Sequence, residues 1–354
     1  MGRRVSPAKN SRALFRSARG LPSWITLLTV VGCGSGDEDP SATTSSGSDS
    51  VTSTSGNSAT NAGTSSTTGA VGEPSSGQAC ELGARVGTLG LRLSDEKTLL
   101  SGAILDSVNP EGVFDIVASE GDCSLLAPPD LFCSECQSGE TCAGQETCIP
   151  KPTKQSAGTL AVAGLLVGLE AQPNGITGEY ASTLTDPYPA FEPGALLSLS
   201  ASGEFFEAFT LAAWGIAPMV TSQTLVSVMR GSPVTLTWDT ANVDQDKSEV
   251  FIDFSVNVHG ATTGWIECTV PDTGSFAIPA NLVSQLIDRG LSGFPRMDLV
   301  RRSIDSTTLS TGDCVEFEVS ASARIELEVE GLVSCNETTP CPSGQNCTTE
   351  LTCE

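Results

Sequence analysis

From residue 80 onward the chain is cut into short apolar and β-branched runs that recur about every ten positions. The runs Arg85 to Leu93, Leu99 to Val108, Gly112 to Ser119, Thr159 to Leu169, Ala195 to Ala201 and Phe206 to Ala212 are mostly too brief for helices. Turn signals such as Asn109-Pro110-Glu111-Gly112 and Pro173-Asn174-Gly175 separate them. That spacing predicts an all-β sandwich or barrel. The second half alternates more strictly. Val234, Leu236 and Trp238 fall on one face of a strand over 233–239, with Thr235, Thr237 and Asp239 on the other. Val250, Ile252, Phe254, Val256 and Val258 likewise oppose Asp253, Ser255 and Asn257. A period of two marks a strand with one buried face. From Val315 to Val329 every odd position is apolar, while the even face carries Glu316, Glu318, Arg324, Glu326 and Glu328, the solvent side of a sheet. So long a strand would span about 50 Å, so a bulge or bend is expected near Ser320-Ala321-Ser322. One short helix is expected over 279–289, with Pro279 in its first turn and Gly290 as its stop.

Nothing of this kind precedes residue 80. Of the 46 residues from Gly34 to Ala79, 29 are Ser, Thr or Gly, with no aromatic among them. Such a segment cannot bury a core, and it is expected to act as a tether with an end-to-end distance of roughly 35 to 40 Å. Ahead of it stand six basic residues without an acid (Arg3, Arg4, Lys9, Arg12, Arg16, Arg19), an apolar run from Leu21 to Val31, and Val30-Val31-Gly32-Cys33. The run is shorter than the roughly 20 apolar residues a membrane-spanning helix needs, and the order is that of a signal peptide. It resembles a bacterial lipobox. The resemblance implies cleavage before Cys33, lipid on its sulfur, and an address in the cell envelope, at the outer membrane or cell surface.

Charge and cysteine content sharpen that picture. Loss of residues 1–32 would leave twelve basic residues against 42 acidic ones, a balance of −30. Such a field repels nucleic acid, so no nucleic-acid partner is expected. Twelve cysteines remain besides Cys33, an even number in an exported chain, and up to six disulfides are expected. Cys136, Cys142 and Cys148 repeat the spacing of Cys341, Cys347 and Cys353, both as C-x-S-G-x-x-C-x₅-C, each with one further cysteine upstream, Cys133 or Cys335. Two modules of about twenty residues are too small to fold without staples. Their bridges are expected to be internal. Zinc is the competing use, since Cys133-Ser-Glu-Cys136 has half-site spacing, but the chain has a single histidine and no paired C-x₂-C. The isolated Cys80, Cys123, Cys268 and Cys314 are expected to pair most simply as Cys80 with Cys123 and Cys268 with Cys314, although Cys314 has the polar parity of its strand.

The domain organisation expected is therefore a signal peptide (1–32), lipidated Cys33 with its tether (33–79), a first β domain (80–225) with an inserted cysteine module (133–148), a second β-sandwich (226–334) and a C-terminal module (335–354). The layout resembles a group of surface lipoproteins of myxobacteria and related soil bacteria, with lipobox, Ser/Thr/Gly tether, immunoglobulin-like β domains and short C-P-S-G-x-x-C modules. The segment from Trp265 to Pro279 is similar to the strand-turn-strand of sandwich domains in that group. The resemblance implies architecture and address more than chemistry.

Catalytic motifs are sparse. There is no G-x-S-x-G, no H-E-x-x-H and no G-x-x-x-x-G-K-[ST]. His259, the only histidine, falls at an expected strand end, where an edge role outweighs a general base. Trp238 is assigned to the core and Trp265 to the opposite, polar side or beneath a loop. Asp244, Asp246 and Glu249, flanked by Asp239, are a weak Ca²⁺ candidate that lacks the EF-hand glycine. No other cofactor is expected. The leading function is a non-enzymatic surface protein that binds a protein or glycan or serves as envelope structure. The alternative is a carbohydrate- or peptide-hydrolysing surface enzyme using carboxylates such as Asp253 and Glu267.

Overall fold

A computed structural model describes residues 74, 77–240, 245–258 and 263–354. The lipobox with Cys33, the expected signal peptide, most of the tether, Asp244 and His259 lie outside the described residues. No helix among the described residues is long and apolar enough to cross a membrane.

The chain opens with a ribbon, β1 (Arg85–Ser94) and β2 (Lys97–Leu105), joined by Asp95 and Glu96, both at positive φ. That two-residue turn follows the right-handed twist of its strands. Next come β3 (Asp115–Glu120) and β4 (Cys123–Ala127), then β5 (Glu140–Cys142) and β6 (Cys148–Pro150) inside the first cysteine module. Seven strands follow: β7 (Lys154–Gln155), β8 (Leu160–Ala163), β9 (Leu169–Ala171), β10 (Tyr180–Leu184), β11 (Leu196–Ala201), β12 (Phe209–Trp214) and β13 (Leu225–Val228). The remainder is β14 (Val234–Thr237), β15 (Glu249–Ser255), β16 (Asn257–Val258), β17 (Trp265–Pro271), β18 (Ser275–Ile278), α1 (Ala280–Asp288), β19 (Ser292–Gly293), β20 (Arg296–Thr308) and β21 (Cys314–Val329).

The all-β class is as expected, but the division at 225/226 is not found. One sheet of eleven strands runs β10-β2-β1-β21-β20-β15-β17-β4-β3, with β7 added to β2 and β13 to β21. The expected first and second domains thus share it: β1 lies parallel to β21, and β4 antiparallel to β17. A smaller sheet, β12-β11-β8-β9, contributes to the same continuous core. Leu89, Leu91, Phe317, Val319, Leu299 and Ile252 of the large sheet share it with Leu160, Leu197, Leu199 and Leu211 of the small one. Each such side chain, fully buried, contributes about 1.5 to 3 kcal/mol. The helix adds Leu282, Val283, Leu286 and Ile287, all on one face.

Two buried polar devices weld the sheets. Ser303 and Asp305 point inward from β20 and accept the backbone N–H groups of Trp214 (2.8 Å) and Ala212 (3.0 Å) on β12. These side chains take the place of a neighbouring strand, because an edge N–H left unpaired in the interior is costly. The second device is the Arg301–Asp272 ion pair, 2.6 Å apart with both side chains buried. Asp272 also accepts Trp238 Nε1–H (2.7 Å) and Ser248 Oγ–H (3.0 Å), while Arg301 donates to the carbonyls of Pro218 (2.8 Å) and Asp239.

Three further expectations are corrected. No bulge interrupts β21, whose register with β20 runs unshifted from Arg296↔Glu326 to Thr308↔Cys314. Its length is tolerated because it is paired along its other edge as well, by β1 over its first half and by β13 near its end. Glu316 is not on the solvent side in effect: it is buried and accepts from Cys80 N–H (3.0 Å), Arg85 (3.1 Å) and Thr88 Oγ–H (2.6 Å). The isolated cysteines pair as Cys80–Cys314 and Cys123–Cys268, not as neighbours in sequence. The cause is topology: β4 against β17 sets Cys123 opposite Cys268, and β1 beside β21 brings Cys80 to Cys314.

Candidate functional site

The large sheet has a second face, built from the polar positions of its alternating strands. Because β1, β21, β20, β15 and β17 are neighbours, those positions line up in cross-strand rows. One row reads Arg92, Ser320, Arg302, Glu249. The next reads Ser322, Val300, Phe251, Thr269. The third reads Arg324, Asp298, Asp253, Glu267. A basic row and an acidic row are thus separated by a half-apolar one.

Electrostatics follow from the rows. Burial pushes the Asp253 carboxyl up to about 6 from an ordinary 3.8, and the charges of Glu267 and Asp298 on either side push in the same direction; Arg296 opposes them. Asp298 is shared between Arg324 (3.0 Å) and Arg296 (3.5 Å). Arg302 lies over the Phe251 ring, 4.4 Å from its centroid, and donates to Glu249 (2.8 Å), with Glu318 at 3.5 Å. Stacking on an aromatic face fixes a guanidinium without consuming its donors. A cavity of about 380 Å³ sits over these rows. A neighbouring one of about 510 Å³ is lined by Trp214, Asp246, Lys247, Glu249 and Arg302, with Lys247 Nζ 4.3 Å from the Trp214 ring.

The structure therefore brings Asp253 and Glu267 together as direct cross-strand partners, side by side on one sheet face. Glu267 is further engaged by Trp265 Nε1–H (2.7 Å), and Trp265 packs edge-on against Phe114 at 4.6 Å, so it is covered by that loop. Of the calcium candidates, Asp246 lies in a 3-10 turn and Glu249 is committed to Arg302. Trp238 is buried and tied to Asp272.

The cysteine modules contain Cys133–Cys142 with Cys136–Cys148, and Cys335–Cys347 with Cys341–Cys353. Both use one connectivity, first to third and second to fourth. The sulfurs of Cys133, Cys136 and Cys148 lie within 4.8 Å of one another, as do those of Cys335, Cys341 and Cys347. Their oxidation leaves no thiolate, the form that ligates zinc. Sequence alone does not single out the arginines of this face. Alternation puts Arg324 on a polar face, but nothing local says that Arg92 and Arg302 flank Ser320.

No protein-family model matches the chain, and no curated protein does. A solved structure that bears on host cell surface retention of a 1.5-MDa bacterial ice-binding adhesin aligns at 8% identity with a TM-score of 0.17, over 70% of this chain and 62% of that one. At that score the alignment carries no argument about function.

Proposed function

We propose that this chain is a non-enzymatic, lipid-anchored protein of the cell envelope, held by Cys33 at the outer membrane or cell surface, whose β body binds a protein or glycan at the polar face of its large sheet. The observation that carries the binding role is the arrangement of that face. Charged and hydroxyl side chains stand in register on strands whose backbones are already paired, over a cavity, while the opposite face is consumed by the core. The six disulfides support export, since such bonds persist in oxidising compartments. The order of basic residues, apolar run, Gly32 and Cys33 supports the anchor.

A screen of the full-length protein against glycans and envelope proteins tests the binding role. A ligand lost on substituting Arg92 and Arg324 together by Gln is the expected result; ligands indifferent to that change, or none at all, would overturn it. One observation favours the hydrolytic reading, the raised Asp253 carboxyl beside Glu267, since a glycosidase uses as its acid a carboxyl whose pKa is raised above the ordinary range. Release of reducing ends from a polysaccharide, lost in both Asp253→Asn and Glu267→Gln, would establish that reading in place of the first.

A further inference from the structure

The cavity of about 380 Å³ is where the cations of this acidic chain converge. Arg92, Arg296, Arg302 and Arg324 line it, together with the carboxylates Asp253, Asp298 and Glu318; these are four of the twelve Lys and Arg residues beyond the expected leader, in a chain whose formal charge is −24. Asp298 pairs Arg296 and Arg324, and Glu249 and Glu318 pair Arg302, which leaves Arg92 as the cation of the cavity without a carboxylate among the described residues. Two polar groups in the cavity are also left incomplete. Ser320, between Arg92 and Arg302, is only 4% exposed and lines the cavity, yet has no hydrogen-bond partner among the described residues. No fully enclosed side-chain polar atom among the described residues lacks a partner, so the Ser320 hydroxyl opens onto the cavity. Asp253 is half-buried and likewise accepts no hydrogen bond among the described residues. Exposed Arg92 has no carboxylate partner there either.

The unmet needs lie at two ends. Arg92 stands without an anion two strand spacings, about 10 Å, from Arg302, which is already paired with Glu249 and Glu318, and Ser320 lies between them; Asp253 lies four residues along the strands, about 13 Å away, and can accept from a hydroxyl or amide donor. A small inorganic anion answers only the first. A peptide is disfavoured, because β1, β21, β20 and β15 are each paired on both sides and offer it no backbone groups. We infer that this cavity binds an acidic polysaccharide, with a hexuronate carboxylate held by Arg92, Arg302 and Ser320 and a hydroxyl of a neighbouring sugar donating to Asp253. Phe251 serves as the platform that keeps Arg302 aimed. This deepens the binding role proposed above and rests on it.

The test is calorimetric titration of the full-length protein in detergent with a tetrasaccharide of galacturonic acid, its fully methyl-esterified form, a neutral glucose tetrasaccharide, and inorganic phosphate. The acid tetrasaccharide should bind, its ester at least tenfold more weakly, and phosphate should fail to compete at equal concentration. Arg92→Gln should weaken the acid tetrasaccharide at least tenfold with an unchanged melting temperature, and Ser320→Ala should weaken it several-fold, while Lys97→Gln leaves it unaltered. Equal binding of acid and ester, displacement by phosphate, or an unaffected Arg92→Gln variant would overturn the assignment. Binding of the neutral sugar alone would sink the acidic ligand but keep a glycan-binding surface, whereas no sugar binding together with a protein ligand lost on changing Arg92 and Arg324 would sink the sugar and keep the face.

Discussion

At the scale of single residues, burial decides which charges matter. Asp272 and Arg301 are both enclosed, and every polar atom of the pair is matched, by Trp238, Ser248 and two carbonyls. Removing one partner of such a pair leaves an uncompensated charge, which costs about 3 to 5 kcal/mol. Asp272→Asn should therefore lower the denaturant midpoint by that free energy, and an unchanged midpoint would show that the ion pair does not hold the sheets together. Asp253 works in the other direction. Its folded pKa of about 6 exceeds the ordinary 3.8, so the folded protein keeps a proton that the unfolded chain has lost. Stability falls as pH rises from about 4 to 6, and above that window the ionised group costs the fold on the order of 2 to 3 kcal/mol. Asp253→Asn should raise stability by about 1 to 3 kcal/mol at pH 8 and change it little at pH 4. Equal effects at the two pH values would exclude burial of the Asp253 carboxyl, with repulsion from Glu267 and Asp298, as the cause.

At the scale of elements, alternation foretold the strands whose inward positions are apolar: β21 falls within a residue of expectation, while the run expected over 250–258 breaks at Val256 into β15 and β16. The segment from Thr159 to Leu169 split into β8 and β9 around Gly164, whose φ of 88° and whose contact with the Leu196 carbonyl leave no space for a Cβ. The strand β20 is hidden for an opposite reason. Its inward positions include Arg301, Ser303 and Asp305, and polar residues there erase the pattern that marks a half-buried strand. They are tolerated only because Asp272 and the backbone of β12 meet them. The C-terminal module is a clearer unit. Its bridges are internal, and it is joined to the body through Gly293 N–H to the Glu350 carbonyl (2.8 Å) and Ser334 Oγ–H to the Gly293 carbonyl. A chain ending at Val333 should keep its strand signal by circular dichroism and melt only a few degrees lower; collapse of that signal would mean the module is part of the folding core.

At the scale of the whole molecule, the first and last strands of the body lie side by side, and Cys80–Cys314 closes a loop of 234 positions. In the chain-entropy picture such a crosslink contributes about 5 kcal/mol by restricting the unfolded chain. Replacing both cysteines by Ser should lower stability by a comparable amount, and mapping of non-reduced peptides should recover Cys80 with Cys314 and Cys123 with Cys268. Recovery of Cys80 with Cys123 would restore a two-domain arrangement and contradict the shared sheet. The anchor is tested at the same scale. Cys33→Ala should abolish acylation and detergent partitioning, and an Ala variant that still fractionates as an acylated membrane protein would remove the lipoprotein reading.

Local pattern determined a good deal by itself: the all-β class, the helix at Ala280–Asp288, and the confinement of four bridges to two modules, because each depends on residues a few positions apart. Tertiary structure alone decided which strands are neighbours. The parallel pairing of β1 with β21 leaves no mark in sequence, since its two partners are separated by more than two hundred residues and hydrogen-bond through backbone common to every residue. That pairing made one sheet of two expected domains, exchanged the partners of four cysteines, and set Arg92 in the same row as Ser320 and Arg302.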